Sequence, residues 1–261
     1  MPGGFPYGLE ICNGTDIGTN AASTTPTSCS TAWTQLVASS AADAFWLEVS
    51  IDNNVAAGNY ATANLGVGSA GNEVVFASKL RADGSTMGRM TYCFPCSIPG
   101  GTRISAQCVD DTHVDVQIRL FDGSFTEIEG AAGVDAVGYS AGFGTVVTPS
   151  ATAHTKGSYA QLVASTSVDY MGFMLALDGQ NGGATNARDY LVDLAIGGSG
   201  SEVIIVPNHL SRWIAASGMN PNGSYGPFFI PIPAGTRIAA RCQSGGASGG
   251  AIGVTVYGIY Q

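Results

Sequence analysis

Apolar and polar residues alternate along this chain in short stretches, which predicts strands that are buried on one face. The alternation is clearest in AFWLEVSID from Ala44 and VDVQIRLFD from Val114, and a proline-containing strand is expected over FFIPIP from Phe228. Clusters of Gly, Asn, Asp, Ser and Pro separate the stretches, and no segment keeps a helical period for three turns. The pattern therefore predicts an all-β protein with many turns.

Several phrases occur twice and in the same order. QLVAS from Gln35 returns from Gln161, LGVGSAGNEVV from Leu65 returns as LAIGGSGSEVI, and IPGGTRISAQC from Ile98 returns as IPAGTRIAARC. Ordered repeats of this length indicate an internal duplication. We predict two tandem jelly-roll-like β-sandwich domains over residues 18–123 and 144–261, preceded by an N-terminal arm (1–17) and joined by a linker (124–143).

The strand that ends the repeated phrases IPGGTRISAQC and IPAGTRIAARC also predicts which face is buried. Side chains alternate along a strand, so Ile104, Ala106 and Cys108 share one face, as do Ile238, Ala240 and Cys242. We expect these faces to line two separate cores, with Cys108 and Cys242 as buried thiols that behave as small hydrophobes.

The other cysteines give weaker signals. Cys93 and Cys96 form a single CxxC in a proline-flanked strand, and the second repeat has Pro227 and Ile230 there, so we interpret both as structural. Cys12 and Cys29 flank the start of the first domain. They could form a disulfide that clamps the arm, or remain thiols.

Composition narrows the classes of partner. Of 261 residues only 11% are charged, the net charge is −9, and ten Lys and Arg are scattered. Nucleic acid and anionic membranes both require a basic surface, so we expect neither as a partner. The N-terminus lacks the basic and apolar regions of a signal peptide, which predicts synthesis in a cytoplasm.

No residue pattern indicates catalysis, and we predict neither a cofactor nor a metal site. The stretch from Asp110 to Asp115, which includes His113, has no ionisable counterpart in the second repeat and suits a turn. The segment Asp178–Asn181 could hold calcium but is also typical of a turn.

Aromatic residues are the better candidates for contacts with a partner. Trp213 and Tyr225 lie in the long polar stretch SRWIAASGMNPNGSYG, which we interpret as an exposed loop. Phe5 and Tyr7 lie in the arm, which has no core of its own and is expected to order only against a partner.

The paired signatures QLVAS, GSEV and IPAGTRIAARCQ on tandem glycine-rich β-units resemble those of bacteriophage virion proteins with jelly-roll folds. Capsid decoration (cement) proteins, head spikes and tail-fibre modules belong to this group. The resemblance covers about residues 18–261 and implies a non-catalytic role and assembly as a homo-oligomer, often a trimer.

Two functions follow as hypotheses. The first is a decoration protein in the virion that binds the major capsid protein or other virion proteins and stabilises the head. The alternative is a receptor-binding module of a head or tail spike that recognises a carbohydrate, the host surface glycan.

Overall fold

The computed structural model describes residues 27–53, 62–81, 89–109, 114–121, 130–139, 144–178, 188–213, 223–246 and 250–261. All regular structure in these ranges is β-strand, as the alternating pattern predicts. The first eight strands are β1 (Thr27–Cys29), β2 (Thr34–Val37), β3 (Ala44–Asn53), β4 (Thr62–Val67), β5 (Val74–Arg81), β6 (Arg89–Ile98), β7 (Ile104–Cys108) and β8 (Val114–Phe121). The others are β9 (Gly133–Val137), β10 (Thr145–Val147), β11 (Ala160–Val163), β12 (Gly172–Asp178), β13 (Arg188–Ile196), β14 (Val203–Trp213), β15 (Gly223–Phe228), β16 (Ile238–Ser244) and β17 (Ile252–Tyr260).

The strands of the first half form a sandwich of two layers. One layer has the order β1-β8-β3-β6, and the other has the order β5-β4-β7-β2. Buried side chains from both layers form one hydrophobic core, which includes Val49, Ile118 and Leu65. This order is that of a jelly roll, in which consecutive strands alternate between the two layers except for β4 and β5, which pair within one layer.

The second half repeats the same order. Its layers are β10-β17-β12-β15 and β14-β13-β16-β11, so each strand has a counterpart in the first half. A second core lies between these layers and includes Phe173, Val192 and Val256. The all-β sandwich prediction is thus confirmed, whereas the origin of the repeat by duplication and the domain boundaries stay predictions.

Strand β9 lies inside the predicted linker and joins the two halves. It pairs antiparallel with β17 from Val256 to Tyr260 and meets β5 in a parallel bridge between Ala77 and Val134. The Ser78 hydroxyl reinforces this contact, because it accepts a hydrogen bond from Ala136 N (3.2 Å) and donates one to Val134 O (3.5 Å). The result is one nine-stranded sheet that contains strands from both halves.

The predicted core faces are also confirmed. Ile104, Ala106 and Cys108 are at most 1% exposed, and Ile238, Ala240 and Cys242 are fully buried. Cys108 belongs to the first core and Cys242 to the second, so the repeated cysteines do line separate cores.

The prediction of a strand over FFIPIP is wrong in its position. Strand β15 ends at Phe228, and the preceding residues from Gly223 pair with β12 instead. Beyond Phe228 only Ile232 makes a bridge, with Tyr170. Two prolines in this segment remove the backbone donors that a longer ladder would need, while the glycines of β15 allow the chain to pass close to β12.

Candidate contact surfaces

A polar cluster around Arg103 fixes the turn between β4 and β5. The Arg103 guanidinium donates to Glu73 Oε1 through Nη1 (2.7 Å), to Gly68 O through Nη1 (3.3 Å) and to Gln35 Oε1 through Nε (3.0 Å). Glu73 Oε2 accepts a further hydrogen bond from Gly71 N at 2.9 Å. The hydrogen bond from Arg103 lowers the pKa of the Glu73 carboxyl, so the pair stays ionised near neutral pH.

The second half contains the same cluster around Arg237. Its guanidinium donates to Glu202 Oε1 (3.1 Å), to Gly197 O (3.0 Å) and to Gln161 Oε1 (3.0 Å). Glu202 also accepts from Gly200 N at 2.9 Å. Hydrogen bonds from its own backbone N–H and from Arg237 lower the pKa of the Glu202 carboxyl. Residues that the repeated phrases share therefore make the same contacts in both halves.

The backbone conformation of these turns explains why they contain glycine. Gly68 and Gly197 have φ angles of 119° and 105°, which other residues rarely adopt. A Cβ atom at Gly68 would lie 2.8 Å from Asn72 O. Each turn is therefore tight, and the arginine holds it against the sheet.

Two apolar doublets follow these turns and point to solvent. Val74 is 67% exposed and Val75 41%, and their counterparts Val203 and Ile204 are 63% and 39% exposed. The glutamate that precedes each doublet is held by the arginine of its cluster. The chain thus presents the same apolar surface twice, and we call these four residues the doublet surfaces.

A further polar cluster surrounds Asp193 in the second half. The Asp193 carboxylate is 3% exposed and accepts hydrogen bonds from Lys156 Nζ (2.7 Å), Arg241 Nε (2.9 Å) and Asn208 N (2.8 Å). The Arg241 guanidinium also lies over the Tyr159 ring, 4.7 Å from its centroid. A shallow cavity of about 550 Å³ opens beside Lys156 and Tyr159.

In the first half Asn64 stands where Asp193 stands in the second. Its Oδ1 atom accepts a hydrogen bond from Lys79 N at 2.8 Å, as Asp193 accepts one from Asn208 N. Lys79 and Asn208 both have left-handed backbones, with φ angles of 52° and 48°. The contact that both halves share therefore stabilises the left-handed backbone of Lys79 and Asn208. The hydrogen bonds of Asp193 with Lys156 and Arg241 are made in addition to it.

Of the four residues predicted to contact a partner, the described ranges include Trp213 and Tyr225. Phe5 and Tyr7, with the rest of the arm, lie outside the described residues. Trp213 is the last residue of β14, paired with Arg188, so its placement in a loop is wrong. Antiparallel pairing with β13 includes Ser211 and Arg212, and residues 214–222 lie outside the described ranges.

Tyr225 lies on β15 and packs, partly buried, against the core of the second sandwich. Its ring contacts the His209 imidazole edge-on, with 4.2 Å between the ring centroids. Burial raises the pKa of the Tyr225 hydroxyl and lowers the pKa of the His209 imidazole. The Nε2 atom of His209 is buried without a hydrogen-bond partner within the described structure. These rings therefore contribute to packing, and the Tyr225 ring is in contact with His209.

The described cysteines are thiols in poorly reactive surroundings. Burial raises the pKa of Cys93 to about 11 and the pKa values of Cys29, Cys96 and Cys242 to about 12. Cys93 and Cys96 are three positions apart on β6, so their side chains lie on opposite faces. The structural role of this CxxC stays a prediction, and Cys12 lies outside the described residues.

The acidic stretches add no site to the described structure. Asp115 lies on β8, whereas residues 110–113 and 179–181 lie outside the described ranges. Where the structure is described, no three His, Cys, Asp or Glu side chains come close enough to hold a metal ion. No helix in these ranges is long and apolar enough to cross a membrane.

The sequence analysis missed the doublet surfaces, although both lie within repeated phrases. The available signal was the pair of apolar residues that follows a glycine-rich turn and a glutamate, NEVV and SEVI. Consecutive apolar residues at the start of a strand point to opposite faces. Both can be exposed only where the strand begins at the rim of the sheet.

Comparison with known proteins adds little to these surfaces. No family model matches the chain, and no curated protein matches it. A chain in a solved structure of infectious bursal disease virus, Gt strain, is 11% identical, with a TM-score of 0.26. The match covers 85% of this chain and 58% of that chain, so it spans less than two thirds of the viral chain. A TM-score this low does not establish a shared fold.

Proposed function

We propose that the chain is a non-enzymatic structural protein of a bacteriophage particle, a decoration protein that binds the capsid and stabilises the head. The observation that carries this proposal is the repetition of the doublet surfaces. Val74 and Val203 are exposed to nearly the same extent (67% and 63%) beside the same arginine–glutamate cluster. A chain that offers one surface twice suits a partner that also repeats, as capsid subunits do.

Binding through two linked surfaces also supports stabilisation of the partner. When the first doublet is bound, the second faces its site at a high effective concentration, so the two contacts together exceed either affinity. A protein that binds only assembled subunits shifts the equilibrium toward assembly. The rigid turns reduce the entropy that each doublet loses on binding.

Binding to particles tests this proposal. Particles of the encoding phage that lack the chain are incubated with the purified wild type, with Val74→Asp, with Val203→Asp and with the double variant. We expect each single variant to bind at least tenfold more weakly and the double variant not to sediment with particles. Val146→Asp is the matched control, because Val146 is 45% exposed and its counterpart in the first half is Ser28.

The number and position of bound copies test the alternative function. A decoration protein is expected in numbers comparable with the major capsid protein and is expected to raise the temperature at which heads rupture. Copies confined to the vertices or the tail, together with binding to host glycan, would support the spike alternative. Wild-type binding by the double variant would refute the role of the doublet surfaces.

A further inference from the structure

The loop between β10 and β11 differs in length from its counterpart in the first half. It spans residues 148–159, whereas the loop between β1 and β2 spans residues 30–33. The longer loop is attached to the second sandwich, because Gly157 N donates a hydrogen bond to Cys242 O at 2.8 Å. Insertions into a structural repeat often form a binding face. The longer loop is therefore a candidate for a function that belongs to the second half.

Lys156 joins this loop to strand β13. Its Nζ atom donates to Leu191 O at 3.0 Å and to Asp193 Oδ1 at 2.7 Å. An ammonium group has three N–H donors, so one is left for a ligand. Arg241 donates through Nε to the other carboxylate oxygen at 2.9 Å, and its Nη groups carry further donors.

The cluster carries one excess positive charge. The Asp193 carboxylate is buried, whereas Lys156 and Arg241 are both partly exposed. Glu202 is nearby, but it forms an ion pair with Arg237, so these two residues add no net charge. A local positive potential thus arises in a chain whose net charge is −9. This potential favours the binding of an anion.

The first half has the same framework without the charges. Neutral residues occupy the matching positions, namely Asn64 for Asp193, Gln107 for Arg241 and Trp33 for Tyr159. Gln107 Nε2 donates to Thr31 O at 2.7 Å and so attaches the short loop through an amide. Because the first half forms its sandwich with neutral residues here, the charges of the second half exceed what the fold requires.

A cavity of about 550 Å³ lies beside these charges. Its walls include Lys156 and the partly exposed Tyr159. They also include three loop residues that carry hydroxyl groups, Thr148, Ser150 and Ser158. Small-molecule sites have volumes of about 300–1,000 Å³ and combine apolar surface with a few polar groups. The cavity has the size and the mixed lining of such a site.

We propose that this cavity binds a short saccharide that carries a carboxylate. The carboxylate accepts a charge-assisted hydrogen bond from Lys156, the sugar ring packs against Tyr159, and the sugar hydroxyls exchange hydrogen bonds with the hydroxyl residues of the loop. One excess charge matches the single charge of a carboxylate, whereas a phosphate monoester carries about −1.5 to −2 near neutral pH.

Saccharide binding at this cavity uses other residues than the doublet surfaces and does not depend on attachment to a particle. Val146 also lines the cavity and is 45% exposed. Val146→Asp places a negative charge there and leaves every contact of Asp193 in place. We expect this variant to lose saccharide binding and to bind particles like the wild type, so failure of this proposal is distinguishable from failure of the proposed function.

Saturation-transfer NMR on the full chain tests the proposal, because it detects weak binding. The acidic probes are methyl glucuronide, methyl galacturonide and N-acetylneuraminic acid, and methyl glucoside is the neutral reference. We expect at least one acidic sugar to bind at least tenfold more tightly than the reference. Lys156→Met should weaken this binding at least tenfold. Lys79→Met is the matched control, because Lys79 Nζ lies 4.6 Å from the centroid of the Tyr139 ring in the first half, and it should bind like the wild type.

Circular dichroism and thermal unfolding verify that each variant is folded. If Lys156→Met is unstable, Val146→Asp decides the test, because it keeps the cluster intact. Binding of none of the acidic sugars, equal binding of methyl glucoside, or wild-type binding by Val146→Asp would each overturn the proposal. Tighter binding of glucose 6-phosphate or of a polyglutamate peptide would also overturn it, because the cavity would then recognise a phosphate or a protein.

Discussion

Asp193 allows the contribution of a buried ion pair to be separated from that of a backbone contact. Asp193→Asn keeps an oxygen for Asn208 N and reproduces the arrangement that Asn64 has in the first half, but it removes the charge that faces Lys156 and Arg241. Asp193→Ala removes both contributions, and Asn64→Ala removes only the backbone contact of the first half.

The structure gives an order for the losses in the free energy of unfolding. Asp193→Ala leaves two cations and a backbone N–H without their acceptor, which costs about 3–5 kcal/mol for a buried pair. Asn64→Ala leaves one N–H unsatisfied, at a cost of about 1–2 kcal/mol. The cations keep 17% (Lys156) and 31% (Arg241) of their side-chain exposure, so water partly replaces the lost charge. Asp193→Asn is therefore expected to cost about 1–2 kcal/mol.

Urea unfolding followed by circular dichroism, at several pH values, checks this order. Burial alone would raise the pKa of Asp193, but hydrogen bonds from Lys156, Asn208 N and Arg241 hold it below its usual range. Its stabilising contribution is therefore complete above the unfolded pKa of about 3.9 and is lost as the pH falls through the folded pKa. The deficit of Asp193→Asn should shrink accordingly below about pH 4. Equal losses for Asp193→Asn and Asp193→Ala, or a deficit that is independent of pH, would refute the reasoning.

Two further predictions concern the second sandwich. Burial lowers the pKa of His209, so the unfolded chain takes up the proton first and stability falls as the pH drops below about 6.5; His209→Leu should reduce this slope in urea unfolding, and an unchanged slope would contradict the assignment. Gly258→Ala places a Cβ atom 2.5 Å from the Tyr170 ring and should cost about 1–3 kcal/mol through overpacking. Gly198→Ala would place its Cβ atom 3.2 Å from the Ser201 hydroxyl and should change stability by less than about 0.5 kcal/mol, and urea unfolding measures both glycine variants.

The repeated phrases carried most of what the sequence could predict about the fold. They include the arginine, glutamate and glutamine of each polar cluster and the cysteine of each core. Residues at equivalent places in the two repeats therefore make equivalent contacts in the two halves. Alternation also identified the buried face of β7 and β16, because a strand with one face in a core has only one register that buries its apolar residues.

The contact between the halves could not be predicted, because it involves residues that the repeats do not share. Strand β9 has a short glycine- and alanine-rich sequence that reads as a linker, and its pairing with β5 and β17 depends on the placement of both sandwiches. Trp213 was misplaced because β13 extends the ladder through a polar sequence.

The continuous sheet through β9 also fixes the angle between the two sandwiches. Backbone hydrogen bonds hold β9 to β17, the Ser78 hydroxyl holds it to β5, and Ser224 of β15 adds a hydrogen bond to Thr91 O on β6. A flexible tether would let each half tilt to follow an uneven support. This chain instead holds the two doublet surfaces at a constant separation and tilt, so, if both bind one partner, we expect binding only to surfaces of matching curvature.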